Sequence, residues 1–254
     1  MSVVGIVSMK GGAGKTSTTA NLASALAERL GPNRVTALDL DPQDALHWHL
    51  GLDADAVPGV CALSLHGAAW NPARRGAPLD IACLPYGAAT EPEREAFEDL
   101  LAREPDWIGR QIDESGLSHN AVVLIDTPPG PSVYLRQVFA CADLILIVLL
   151  SDAGSYATIP AMESWLDELA LQGDIPPTAY LLNQVDTGEP LSRDVGEMLR
   201  AHLGERLAPV RIHRDEAVSE ALAFQQPVLV YDPHCQASHD LSRLASWVID
   251  VLNR

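Results

Sequence analysis

The stretch Ser8-Met9-Lys10-Gly11-Gly12-Ala13-Gly14-Lys15-Thr16-Ser17 separates an apolar, β-branched run, VVGIVSM (3–9), from the alanine- and leucine-rich run TANLASALAERL (19–30). A strand that runs through a glycine-rich turn into a helix suits few architectures other than a parallel sheet with crossover helices. The chemistry is equally restricted. Glycines bring backbone N–H groups close to a ligand without an intervening Cβ, and the following helix N-terminus adds a positive end, so residues 11–17 are expected to wrap a phosphate chain. Within that loop Lys15 is placed to reach the β and γ phosphates, and the Thr16 hydroxyl to meet Mg²⁺. The common pattern G-x-x-x-x-G-K-[ST] has glycine where Met9 stands, and a second lysine, Lys10, has been added. These two are the only lysines among 17 Lys and Arg residues. A lysine ammonium is a compact charge on a flexible stem, which a phosphate cradle accepts more readily than a planar guanidinium.

The remaining chain continues the same rhythm. Buried parallel strands are expected at 3–9, 34–40, 79–85, 121–126, 144–150, 178–183 and 210–213, with helical stretches between them. In SYATIPAMESWLDELALQ, for instance, Ile159, Met162, Leu166 and Leu169 share one face. The expectation is an α/β fold, a doubly wound and mostly parallel sheet with helices on both faces. A chain of 254 residues with no linker, repeat or low-complexity tract fits one domain over residues 1–254. Four scattered cysteines without a Cys-x-x-Cys pair suggest reduced thiols rather than disulfides or zinc.

The net charge of −17 disfavours sequence-independent attraction to nucleic acid or anionic lipid. The longest apolar run, LILIVLL (144–150), is too short to span a bilayer, and the N-terminus lacks a cationic leader. A cytoplasmic protein is expected, with no direct nucleic-acid partner and with membranes reached only through other proteins. The final stretch DLSRLASWVIDVLNR carries Leu241, Leu244, Trp247, Val248 and Val251 on one stripe with few basic residues, which reads as a packed last helix.

In open α/β sheets, ligands bind beyond the carboxyl ends of the strands. Asp39 and Asp41 leave their strand on one side. Asp126 ends an apolar strand, where a carboxylate is costly unless it meets a cation or hydrogen-bond donors. Asn183 ends another, and its amide suits an adenine edge. The run Asn183-Gln184-Val185-Asp186 is also one residue away from the guanine-reading Asn-Lys-x-Asp, and both Asn183 and Asp186 are ordinary turn formers. The His213-Arg214-Asp215 triplet lacks the Asp-Phe-Gly and glycine-rich loop of protein kinases.

The loop with its extra lysine resembles the deviant phosphate loop of the MinD/ParA family of dimeric ATPases, and the likeness extends over nearly the whole chain. The resemblance implies ATP and Mg²⁺ as cofactors and a homodimer with ATP sandwiched between subunits. It further implies that Lys10 crosses to the partner's nucleotide and that Asp41, in the switch I segment, orients the attacking water, making Lys10, Lys15 and Asp41 the catalytic set. Thr16, Asp39 and Asp126 would serve the metal, and Gly130 would offer its N–H to the γ-phosphate. Asn183, Asp186, His213 and Arg214 would border the base. Two stretches, IHRDEAVSEALAFQQPVLVYDP (212–233) and LDIACLPYG (79–87), are similar to the cellulose-biosynthesis branch of that family. That likeness implies other cellulose secretion components as partners, recruitment to the inner membrane or cell pole, and slow, partner-stimulated hydrolysis.

Overall fold

The computed structural model describes residues 1–53 and 58–253. In chain order the elements are β1 (Ser2–Val7), α1 (Lys15–Leu30), β2 (Val35–Asp39), α2 (Leu46–His49), α3 (Val60–Leu65), β3 (Arg75–Ala77), β4 (Ile81–Leu84), α4 (Glu91–Arg103) and α5 (Trp107–Glu114). They continue with β5 (Val122–Asp126), α6 (Val133–Cys141), β6 (Leu144–Leu150), α7 (Ala153–Ala170), β7 (Thr178–Asn183), α8 (Pro190–Leu203), α9 (Glu216–Ala223), α10 (Val228–Tyr231) and α11 (Gln236–Leu252).

The seven strands form one sheet in the order β3-β4-β2-β5-β1-β6-β7, parallel except for β3, which pairs antiparallel with β4 at one edge. Parallel strands are covered on both faces, so their sequences are apolar at nearly every position rather than alternating. The two faces divide the side chains by parity. Val3 and Val7 of β1 join Leu38, Ile125 and Leu149 in a core covered by α3 to α8. Val4 and Ile6 point the other way, into a core closed by α1, α2 and α9 to α11. The stripe on α11 is seated there against α1, with Leu241, Leu244 and Val248 buried and Trp247 and Val251 partly so. Cys61 and Cys83 are buried, Cys141 and Cys235 partly buried, and all four are free thiols. No helix among the described residues is long and apolar enough to cross a membrane.

One strand was not expected, and one expected strand needs correction. The short run Arg75–Ala77 is a strand that its composition does not announce. The segment 210–213 is not a strand but an isolated bridge between Val185 and His213 beside β7. The Ala208 N–H donates to the Tyr180 carbonyl and the Ile212 N–H to that of Leu182, each at 2.8 Å. The segment thus spends more residues than β7 between the same two contacts, bulging around Pro209, which has no N–H to give the ladder.

Because the central strands are parallel, β1, β2, β5, β6 and β7 all end at one edge of the sheet. Residues that are 30 to 170 positions apart in the chain therefore meet along a single rim.

Candidate functional site

At the end of β1 the loop turns through Gly12 (φ 76°) and Gly14 (φ 85°), both in the left-handed region. Gly14 caps α1. A Cβ there would lie 2.4 Å from Asn183 Nδ2, which donates to the Ala13 carbonyl at 2.9 Å and ties the end of β7 to the loop. Gly14→Ala therefore combines a left-handed penalty of roughly 1–2 kcal/mol with displacement of that tie. We expect the melting temperature to drop and nucleotide affinity to fall at least tenfold, read by calorimetry.

Lys15 follows, only 6% exposed. Burial lowers its pKa, opposed by the charges of Asp126 and Asp41, yet its ammonium makes no hydrogen bond or ion pair with any described residue. Thr16 Oγ1 donates to Asp126 Oδ2 at 2.6 Å, and Thr19 Oγ1 reaches Asp126 Oδ1 at 3.4 Å. Asp126 is fully buried; burial pushes its carboxyl up to about 7, against the Thr16 hydrogen bond and the Lys15 charge. Its register partner in the sheet is Asp39, also fully buried. Burial and the Asp126 charge hold the Asp39 carboxyl well above the usual range. Two buried acids side by side mark a place where added positive charge is welcome.

Asp39 also organises the segment that follows it. Its Oδ1 accepts the Asp41 N–H at 2.9 Å and its Oδ2 the Leu46 N–H at 3.0 Å. It thereby folds the segment 41–46 onto the sheet. Asp41 is partly exposed, acts on both Lys15 and Asp126, and accepts the Gln43 N–H at 3.0 Å. Gly130 lies against the phosphate loop. Its N–H donates to the Ser8 carbonyl at 2.8 Å and so is engaged with the loop rather than free for a γ-phosphate.

The base side is a cleft of about 220 Å³ between α1 and α9, where Ser17, Thr18, Asn21, Asn183, His213 and Arg214 are among the lining residues. Asn21 Oδ1 accepts the Val228 N–H at 2.7 Å, fixing α10 to α1. His213 is clamped by Asp240, whose Oδ2 meets both the His213 N–H (3.0 Å) and its ring Nδ1 (2.7 Å). Asp186 does not line this cleft. Its Oδ1 accepts the Gly188 and Glu189 N–H groups and shapes the turn into α8, a local Asx-type role.

Lys10 stands on the rim. Its Nζ is 2.7 Å from Asp152 Oδ2, with both side chains 39% exposed. Asp152 caps α7 through the Ser155 N–H. Burial would raise its pKa, but the Lys10 and Ser155 hydrogen bonds outweigh that and hold the carboxyl below its usual value. An exposed pair of this kind is worth about 0–1 kcal/mol, so Lys10 is released at little cost. Asp152 escaped sequence reading. The only signal was an Asp directly after a strand and before a helix, which does not reveal its partner 142 residues away.

A phosphate chain fits this cradle because Lys15 is buried without an acceptor and two left-handed glycines open the loop backbone. Hard oxygen donors, the Thr16 hydroxyl and the Asp126 carboxylate, suit Mg²⁺. Sheet, loop and carboxylates together define a P-loop NTPase fold of the MinD/ParA type. The solved structure of the septum site-determining protein MinD complexed with Mg-ADP from Pyrococcus horikoshii superposes with a TM-score of 0.78 at 21% identity, covering 99% of this chain and 97% of that one. More specifically, the family model for cellulose biosynthesis protein BcsQ matches residues 1–249, and the chain belongs to that family. BcsQ of Salmonella typhimurium is 31% identical over 98% of this chain and 94% of its own length. The chromosome partitioning protein ParA of Caulobacter vibrioides is 28% identical, with 97% and 93% covered.

Proposed function

We propose that the chain binds ATP with Mg²⁺, forms a homodimer around two nucleotides, and hydrolyses ATP slowly, under the control of a partner. The dimer would support assembly or positioning of the cellulose synthesis and secretion complex at the inner membrane. The observation that carries this reading is Lys15, a largely buried side chain whose ammonium has no acceptor among the described residues, beside the Thr16–Asp126 pair, with a second lysine on the rim held only by a weak ion pair. In this reading the 1–254 chain acts as one ATPase domain. It needs no nucleic acid and meets the membrane through partners, in keeping with its charge of −17.

The residues divide the work. The loop N–H groups and Lys15 bind the phosphates, while Thr16 and Asp126 hold the metal, and Asn183, His213 and Arg214 border the base. Bound Mg²⁺ would neutralise charge on the phosphate oxygens as the bond to the leaving group weakens. Asp39 shapes the segment that carries Asp41, and Asp41 orients water. That Asp41 stands beside the cradle with its second oxygen uncommitted favours a hydrolase over a scaffold that merely retains nucleotide.

Asp41 supplies the test. An interaction made mainly in the transition state lowers turnover without lowering ground-state binding. Asp41→Ala should bind ATP normally, lose about 10²–10⁴ in hydrolysis, and accumulate a long-lived dimer. Light scattering and phosphate release measure both. A variant that remains monomeric with ATP would show that the carboxylate has another task.

A further inference from the structure

Among the described residues, several arginines form ion pairs with carboxylates, on a chain with 34 acids against 17 Lys and Arg residues. Arg94 pairs with Glu91 and Glu98, Arg110 with Asp106, and Arg206 with Glu163. Arg200, Arg211 and Arg243 are set apart by their placement. They come from three separate elements, the last turn of α8, the bulged segment beside β7, and α11. All three line one cleft of about 400 Å³, over a floor that includes Leu182, Pro209 and Val210. Each is exposed, and none makes a hydrogen bond or ion pair with a described residue.

The cleft has one acid in its lining, Asp240, and that acid is committed. It is 1% exposed; its Oδ2 is held by His213 and its Oδ1 accepts the Gln236 amide at 3.0 Å. Three arginines therefore line one cleft whose single lining acid is already engaged, on a protein that is otherwise strongly negative. A position near a helix C-terminus, worth about 0.3–1 kcal/mol, accounts for Arg200 alone and not for the convergence. The planar forks of arginine match the oxygens of a phosphate.

We propose that this cleft binds a small, free phosphoanion carrying at least two negative charges, at a site separate from the phosphate cradle. Its size is that of a small-molecule site. The net charge of −17 weighs against a polyanionic surface such as a vesicle or duplex DNA. Of the residues around the base cleft only His213 is shared, and none of residues 10–17 takes part.

Pyrophosphate, without added metal, is a suitable probe, and Lys15→Ala removes its competing site. Calorimetry on the full Lys15→Ala chain should show one pyrophosphate site. Adding Arg211→Gln and Arg243→Gln should weaken it at least tenfold with an unchanged melting temperature, since both side chains are exposed. Arg200→Gln, on a different element, should weaken it in the same direction. No pyrophosphate binding to Lys15→Ala, or binding unaffected by all three arginine substitutions, overturns the proposal. So does an arginine-dependent retention of anionic phospholipid vesicles or duplex DNA at physiological salt by a protein that does not bind free pyrophosphate.

Discussion

Lys10→Ala is expected to bind ATP with nearly unchanged affinity while failing to form a stable dimer and failing to hydrolyse. Within its own subunit Lys10 contributes only the pair to Asp152, in which both side chains are 39% exposed. Losing it costs about 0–1 kcal/mol, so the melting temperature should barely move. The loss across the interface is far larger. A cation delivered in trans to a transferring phosphoryl group is worth on the order of 10³ to 10⁵ in rate, and the same charge is needed to join two nucleotide-bearing faces. Lys10→Arg should rescue poorly, because the fork does not fit a point-charge site. Mixing separates the two geometries. In a heterodimer of Lys10→Ala with Asp41→Ala, the Asp41-substituted subunit keeps Lys10 and serves the other nucleotide, whose own Asp41 is intact. Hydrolysis regained on mixing two inactive variants places the lysine in trans. A mixture that stays inactive despite demonstrated heterodimers would refute that role.

Lys15→Ala should remove ATP binding at ordinary concentrations. An ammonium facing two phosphates makes two charge-assisted contacts of about 1.5–3 kcal/mol each, and affinity falls by on the order of 10² to 10⁴. Calorimetry reads this directly. The nucleotide-free protein provides the control against unfolding. Burial is the dominant influence on Lys15, and its ammonium has no acceptor there, so its removal should not lower the melting temperature of the empty protein. Near-native ATP affinity in this variant would sink the assignment of the cradle.

Much of the architecture was legible because it depends on local pattern. Runs such as LILIVLL (144–150) cannot stay in water and are too short for a buried helix, so they become interior parallel strands. The cradle was legible for a similar reason. Glycines, lysine and threonine at fixed spacing between strand and helix leave the backbone little choice, and Gly12 and Gly14 adopt the left-handed conformation that the loop requires. Asp126 was identifiable because an acid ending an apolar strand needs a reason to be there, and it meets Thr16 and lies near Lys15.

Less was legible where several groups compete for one partner. A sequence shows that Asp39, Gly130 and Asp186 can each offer an oxygen or an N–H to a ligand. It does not show that Asp41 and Leu46 N–H groups reach Asp39 first, that the Ser8 carbonyl takes the Gly130 N–H, or that Asp186 closes its own turn. Sequence alone thus determined the sheet's runs, the left-handed phosphate loop and the acids at the strand ends, since hydrophobic periodicity and backbone sterics act over a few residues. Only the tertiary structure decided which donor meets which acceptor along the sheet's carboxyl edge. There Asp152 holds Lys10 across 142 residues, and three arginines from separate elements face one cleft, because parallel pairing brings distant strand ends and helices to the same few ångströms.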